Sequence, residues 1–318
     1  GSSRAALGRS EIWLAGLLVL ALTLGVGLRG RLVEESVNWD GLAAVAHAYD
    51  VYHAQPNANL AMIGFVQPPL PALLQLPATL VAPGLATSGF ASKYWAADAL
   101  ALAAVLLLGL AAEAGLSGPW RWAVTGLFVA HPMVIGPAAT GSPMAILLAL
   151  LMGASWALWR WGRTEGLREL IAASLLLAGV IITRYEAAFI VVGALIYVAW
   201  RVRSRGGSWS KLEGTMITFG LPIAYVAAVW IGVNWAIMGD PWHFIGRTFA
   251  VAGGTTSSFA VVQVALLCFA PVAALVYNQM RDAGRSPGAA RPVAWLVLTA
   301  IAAPLIFQSA FGRLSEPS

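Results

Sequence analysis

Uninterrupted apolar stretches recur along the chain, many of them joined by short, polar, arginine-bearing connections. The stretches 12–28, 96–112 and 217–237 approach the roughly 20 residues needed to cross a bilayer core. Runs of that length satisfy their backbone groups in lipid as helices. The pattern therefore predicts an all-α, polytopic transmembrane helix bundle. About nine spans are expected, near 12–28, 94–114, 122–134, 144–159, 170–183, 187–200, 215–238, 259–280 and 293–307.

A further apolar stretch, 69–85, is read differently. Counting it as a full crossing would invert the side of every later basic connection. Pro68, Pro69, Pro71, Pro77 and Pro83 also interrupt any long lipid-facing helix there. It is expected as a juxtamembrane or re-entrant segment. One large outer loop, about 30–92, then follows the first span and carries Glu34, Glu35, Asp40, His47, Asp50 and His53. The whole chain, 1–318, with this loop included, reads as a single transmembrane domain. Its last residues are expected to stop short of a longer C-terminal part, just after an outer-facing end near Gly312.

Composition reinforces this pattern. The 318 residues are 59% hydrophobic and 10% charged, with a mean hydropathy of +0.76, against about a quarter charged in a soluble domain. The net charge of +5 does not point to nucleic acid, because the basic residues sit in short connections rather than on one face. They mark the cytoplasmic side instead: Arg121; Arg160, Arg163 and Arg168; Arg201, Arg203, Arg205 and Lys211; and Arg281, Arg285 and Arg291. The lone Cys268 excludes an internal disulfide. Arg4 and Arg9 ahead of the first span imitate a signal peptide, but the apolar run is too long and no cleavage site follows it.

Candidate chemistry concentrates in the outer loops. Asp40 precedes a helix-like segment, 42–51, and is placed to cap its start, which is the common use of an Asp there. Its other use is as a general base or metal contact at the outer face. His47, Asp50 and His53 lie roughly on one helical side but lack a firm ligand spacing, so no metal site is assigned. Asp98 inside the second span, near Lys93, must pair or line a cavity. Arg184 at an outer boundary either binds phosphate or snorkels and pairs with Glu186. In 239–247, Asp240 and Pro241 start a helix on which His243 and Arg247 share a face, as phosphate or acceptor contacts or as an interfacial anchor.

Several short sequences, taken in order, resemble a known family: Trp39-Asp40 after the first span, Phe65-Val66-Gln67-Pro68-Pro69-Leu70 closing the loop, Thr183-Arg184-Tyr185-Glu186 ending a span, and Asn234-Trp235 with Gly239-Asp240-Pro241. Together they resemble the GT-C superfamily of membrane glycosyltransferases, in particular bacterial relatives of protein O-mannosyltransferases and of the lipid A aminoarabinose transferase. The resemblance implies inverting transfer of a sugar from a polyprenyl-phosphate donor to an acceptor glycan, lipid or protein. It also implies a bacterial cytoplasmic membrane with the active site facing outside. Asp40 is then the catalytic base, and Arg184, Glu186, Gln67, His243, Arg247 and Asp240 are substrate contacts.

Two positions depart from the family pattern. Gln67 stands where many relatives carry a Lys, and Gly141-Ser142-Pro143 stands where a second acid is common. A divalent metal cofactor gains no support from these residues. The departures also fit a non-catalytic subunit of a membrane complex that kept the fold. A transporter would instead show paired broken spans in two halves, which the sequence lacks.

Overall fold

The computed structural model describes residues 8–33, 38–56 and 58–244, without the side chains of 31–33, 186 and 189. Glu34, Glu35, Arg247, Cys268, the spans at 259–280 and 293–307, the basic set Arg281, Arg285 and Arg291, and the end near Gly312 lie outside the described residues. Every regular element among the described residues is a helix. They run α1 (Arg9–Val33), α2 (Trp39–His53), α3 (Leu70–Val81), α4 (Pro83–Thr87), α5 (Phe90–Glu113), α6 (Gly118–Ala130), α7 (Pro132–Thr140), α8 (Met144–Thr164), α9 (Leu167–Ile181), α10 (Ala188–Ser204) and α11 (Trp209–Met238).

Four of these helices, α1, α5, α8 and α11, are long and apolar enough to cross a membrane. By length and composition they mark the chain as an integral membrane protein. The expected span at 122–134 is not one straight helix: α6 and α7 meet at 58° and together make a fifth candidate. The bend has a local cause. Pro132 offers no amide hydrogen, and the residue before a proline is driven out of the helical region, so His131 is extended at φ −63°, ψ 127°. The spans expected at 170–183 and 187–200 form α9 and α10, of 15 and 17 residues. Both are shorter than the roughly 20 residues of a perpendicular crossing.

The proline-rich stretch breaks as its composition demands. α3 ends at Val81, Ala82 leaves the helical region at φ −139°, ψ 68°, and Pro83 opens the short α4. No single helix bridges 69–85.

Two compact units are resolved by packing, one from residues 8–156 with 230–244 and the other from 157–229. In the first, α1 packs along α5. Ala15, Val19 and Thr23, spaced four apart, are buried, whereas Leu14, Leu18 and Leu22 are exposed. α5 meets α1 through Ala96, Leu100, Ala101 and Ala104. Large side chains outside and small ones inside is the inverse of a water-soluble bundle. It is expected where lipid is as apolar as leucine and only close backbone approach favours association. Thr23 keeps its hydroxyl satisfied within the helix by donating to the Val19 carbonyl at 2.8 Å.

The juxtamembrane elements form a small assembly of their own. Ala44 and Val51 of α2 pack on Ile63 and Ala72, Val45 packs on Ala86 and Ala91, and Thr79 donates to the Ala48 carbonyl at 3.3 Å. In the second unit, α9 packs on α10 and meets α11 near Phe219. The Ser174 hydroxyl donates to the Phe219 carbonyl, and Leu177, Val180, Tyr197, Val198 and Phe219 are fully buried.

Candidate functional site

Asp40 stands in the first turn of α2, but it is not the cap. Asn38 takes that place: extended at φ −90°, ψ 116°, it accepts the Gly41 amide on its side chain at 3.0 Å. The helix therefore starts three residues earlier than the apolar pattern predicts, at Trp39, and continues to His53. This moves Asp40 to the second helical position, where a negative charge is favoured by the amino end of the helix. Its carboxylate is exposed and makes no side-chain hydrogen bond or ion pair among the described residues. Its neighbour Trp39 is also exposed, at 77%.

The backbone around Asp40 is fixed by contacts that the sequence alone does not reveal. A Cβ added at Gly41 would collide with the Gly141 carbonyl oxygen and lie 3.3 Å from Cβ of Ser92. Gly141 itself has φ +89°, a conformation that L side chains rarely adopt. Gly41 and Gly141 thus let the start of α2 touch the turn between α7 and α8. Nearby, a Cβ at Gly27 would sit 2.6 Å from the Ala139 carbonyl oxygen. Lys93, 7% exposed, donates to the Gly27 carbonyl at 3.3 Å. Asp98 does not pair with Lys93. Five residues separate the two, which puts them about 140° apart around α5, and Asp98 lies on an exposed stripe with Tyr94 and Leu102.

The other expected contacts of the first unit stay separate. Gln67 is half-buried between Phe65, which stacks on Trp230 at 5.7 Å, and the start of α3. Asp240 accepts the Trp242 amide on its carboxylate at 2.9 Å and so starts the turn that holds His243, which is half-buried. Among the described residues no hydrogen bond or ion pair links Asp40, Gln67, Asp240 and His243. His47, Asp50 and His53 form no ligand set, because positions six apart diverge by about 120° on a helix. His53 instead stacks on Tyr49 at 4.2 Å and bonds the Tyr49 carbonyl through Nδ1 at 3.1 Å, and the His47 ring lies against Gly64. No group of three His, Cys, Asp or Glu able to hold a metal occurs among the described residues.

In the second unit Arg184 is half-buried, extended at φ −152°, between the end of α9 and the 3-10 turn Tyr185–Ala187. The side chain of Glu186 lies outside the described ones. The basic connections, read from sequence as markers of sidedness, prove to be structured. Glu165, just past α8 at φ +55°, is bridged by Arg205 and by Lys211, the latter at 2.7 Å. Those two hydrogen bonds hold its carboxyl below the usual glutamate range. Arg201 and Arg205 both donate to the Gly162 carbonyl, the former at 2.8 Å, covering the carboxyl end of α8. Arg203 donates to Gly207 and lies over Trp209 at 5.3 Å. Around this clamp is a cavity of 270 Å³ whose walls include Trp161, Leu167, Arg201, Arg205 and Lys211. The signal that could have found it is Glu165 itself, a single acid set among Arg160, Arg163 and Arg168.

Comparison with protein-family models, with curated proteins and with solved structures gives no match to this chain.

Proposed function

We propose that the chain is a GT-C-like membrane glycosyltransferase of about nine spans, acting at the outer face of a bacterial cytoplasmic membrane. It transfers a sugar from a polyprenyl-phosphate carrier to an acceptor glycan, lipid or protein. The observation that carries this reading is the carboxylate of Asp40: exposed, engaged by no side chain among the described residues, and set in the first turn of a helix that follows the first span. Such a group is available to take a proton from an acceptor hydroxyl. As the acceptor oxygen bonds to the anomeric carbon, the bond from that carbon to phosphate oxygen breaks, and polyprenyl phosphate leaves with the electron pair. Inversion follows from the single displacement. Arg184 is the phosphate contact, since a guanidinium matches phosphate oxygens in geometry. Gln67, Asp240, His243, Glu186 and Arg247 are the remaining candidate substrate contacts.

A second reading, a non-catalytic GT-C-like subunit of a membrane complex, draws support from Gln67, which supplies no charge to a donor phosphate where the family often carries Lys. Transfer of labelled sugar from membrane polyprenyl-phosphate donors, by the full-length protein and its Asp40→Asn variant at matched folding, separates the two. Loss of transfer in the variant supports the enzyme. No transfer by either, across a broad panel of donors and acceptors, supports the subunit.

A further inference from the structure

We infer that the cavity around Glu165 is a binding site for the phosphodiester headgroup of an anionic phospholipid. This inference does not rest on the transferase reading. Three cations, Arg201, Arg205 and Lys211, line the cavity against one carboxylate, Glu165, so two positive charges are in excess. The cations are not loosely placed. Arg201 and Arg205 are fixed on the Gly162 carbonyl, while Lys211 opens the first turn of α11 and reaches across to Glu165. Glu165 acts as an internal stand-in for the ligand's charge: its oxygens occupy the positions on Arg205 and Lys211 that phosphate oxygens would take.

The walls of the cavity argue for a lipid over a free anion. Trp161, Leu167, Leu170 and Val202 give it apolar sides. Leu167 stands at its edge, 61% exposed, and begins a row on α9 with Ile171 and Leu175, four residues apart and exposed in turn. A headgroup seated on the cations would lead its acyl chains along that row. The site lies where α8, long enough to span, ends and where α11, another, begins. Basic pockets between membrane helices at the level of the headgroups hold anionic lipids on the same physical grounds, and each cation near such a surface contributes about fivefold in affinity.

The test uses the full-length protein purified in mild detergent, with bound lipid counted by native mass spectrometry after titration with dioleoylphosphatidylglycerol or dioleoylphosphatidylcholine. Wild type is expected to retain the glycerol lipid in clear preference to the choline lipid. Lys211→Gln should weaken that retention about fivefold, and Glu165→Gln, which removes the competing carboxylate, should strengthen it by a similar factor. The opposite signs protect the test against misfolding, since a damaged fold loses binding in both variants. Equal retention of the two lipids, or weaker retention in Glu165→Gln, overturns the inference. Displacement of the lipid by low-millimolar inorganic phosphate identifies a free-anion site and overturns the lipid assignment.

Discussion

The start of α2 and the end of α8 solve the placement of a carboxylate in opposite ways. At α2 the position is set by backbone: Gly41 touches Gly141, Asn38 caps the helix, and Asp40 has no side-chain partner among the described residues. At α8 the position is set by side chains: Arg205 and Lys211 bridge Glu165, and two guanidinium groups cover the Gly162 carbonyl. A carboxylate whose place is fixed by its backbone stays available for chemistry or a ligand. One that is held by its own charge is already engaged, and a ligand must compete with that bond. The difference predicts which substitutions act on function and which on stability.

The largest expected effect separates those two outcomes at Asp40. Asp40→Asn keeps the shape and the exposed position and removes only the charge at the helix end, so stability should fall by no more than about 0.5 kcal/mol. Sugar transfer should fall about 10²- to 10⁴-fold, the usual range for loss of a general base. A fall in stability well beyond that, together with the loss of activity, would place Asp40 among the structural residues and break the contrast.

Next in size is the glycine contact. Gly41→Ala forces a methyl group into the Gly141 carbonyl, and overpacking of that kind costs about 1–3 kcal/mol. Gly126→Ala, in α6, is the control. Its Cβ would meet nothing within 4 Å, and alanine in a helix interior is favoured over glycine by about 1 kcal/mol. Opposite signs in detergent unfolding are expected. Two destabilisations of equal size would mean that close approach at Gly41 has no special weight.

The four long helices are legible from apolar runs, because α1, α5, α8 and α11 carry their signal in length and hydropathy alone. Pro83 likewise announces the break beside it, whereas the expected span 122–134 runs through Pro132 and does not foresee the bend there. The cap of α2 is not legible in the same way. Asn38 and Asp40 are both good cap residues, and the choice depends on where the chain turns, which a tertiary contact at Gly41 decides. The basic clamp escapes for another reason: arginines in short connections report sidedness so consistently that their pairing with one glutamate 40 and 46 residues away leaves no periodic trace.

The cap assignment gives the third prediction. Asn38→Ala should cost about 1 kcal/mol by orphaning the Gly41 amide. Asp40→Ala should cost about half as much, since it removes only a favourable charge at the helix end. A larger loss at Asp40 than at Asn38 would restore the cap to Asp40.

The smallest effect is the most informative about the clamp. Glu165 is 37% exposed in its side chain, so solvent screens both bridges and Glu165→Gln should lower stability by about 1 kcal/mol or less. The sign with pH follows from the lowered folded-state pKa. An unfolded glutamate titrates near about 4.3; above that value the folded carboxylate is charged and its bridges are present in full. As pH falls through the lower folded value, the carboxylate takes up a proton and the stabilisation disappears. The difference between wild type and Glu165→Gln should therefore be constant from neutral pH down to about 5 and close towards zero below about 4. Anionic lipid would alter this curve in a defined way. If phosphate takes over Arg205 and Lys211, as inferred for the cavity, Glu165 loses the bridges that stabilise it, and the difference at neutral pH should shrink when phosphatidylglycerol is added. A curve unmoved by the lipid would mean that the headgroup and the carboxylate do not share those cations.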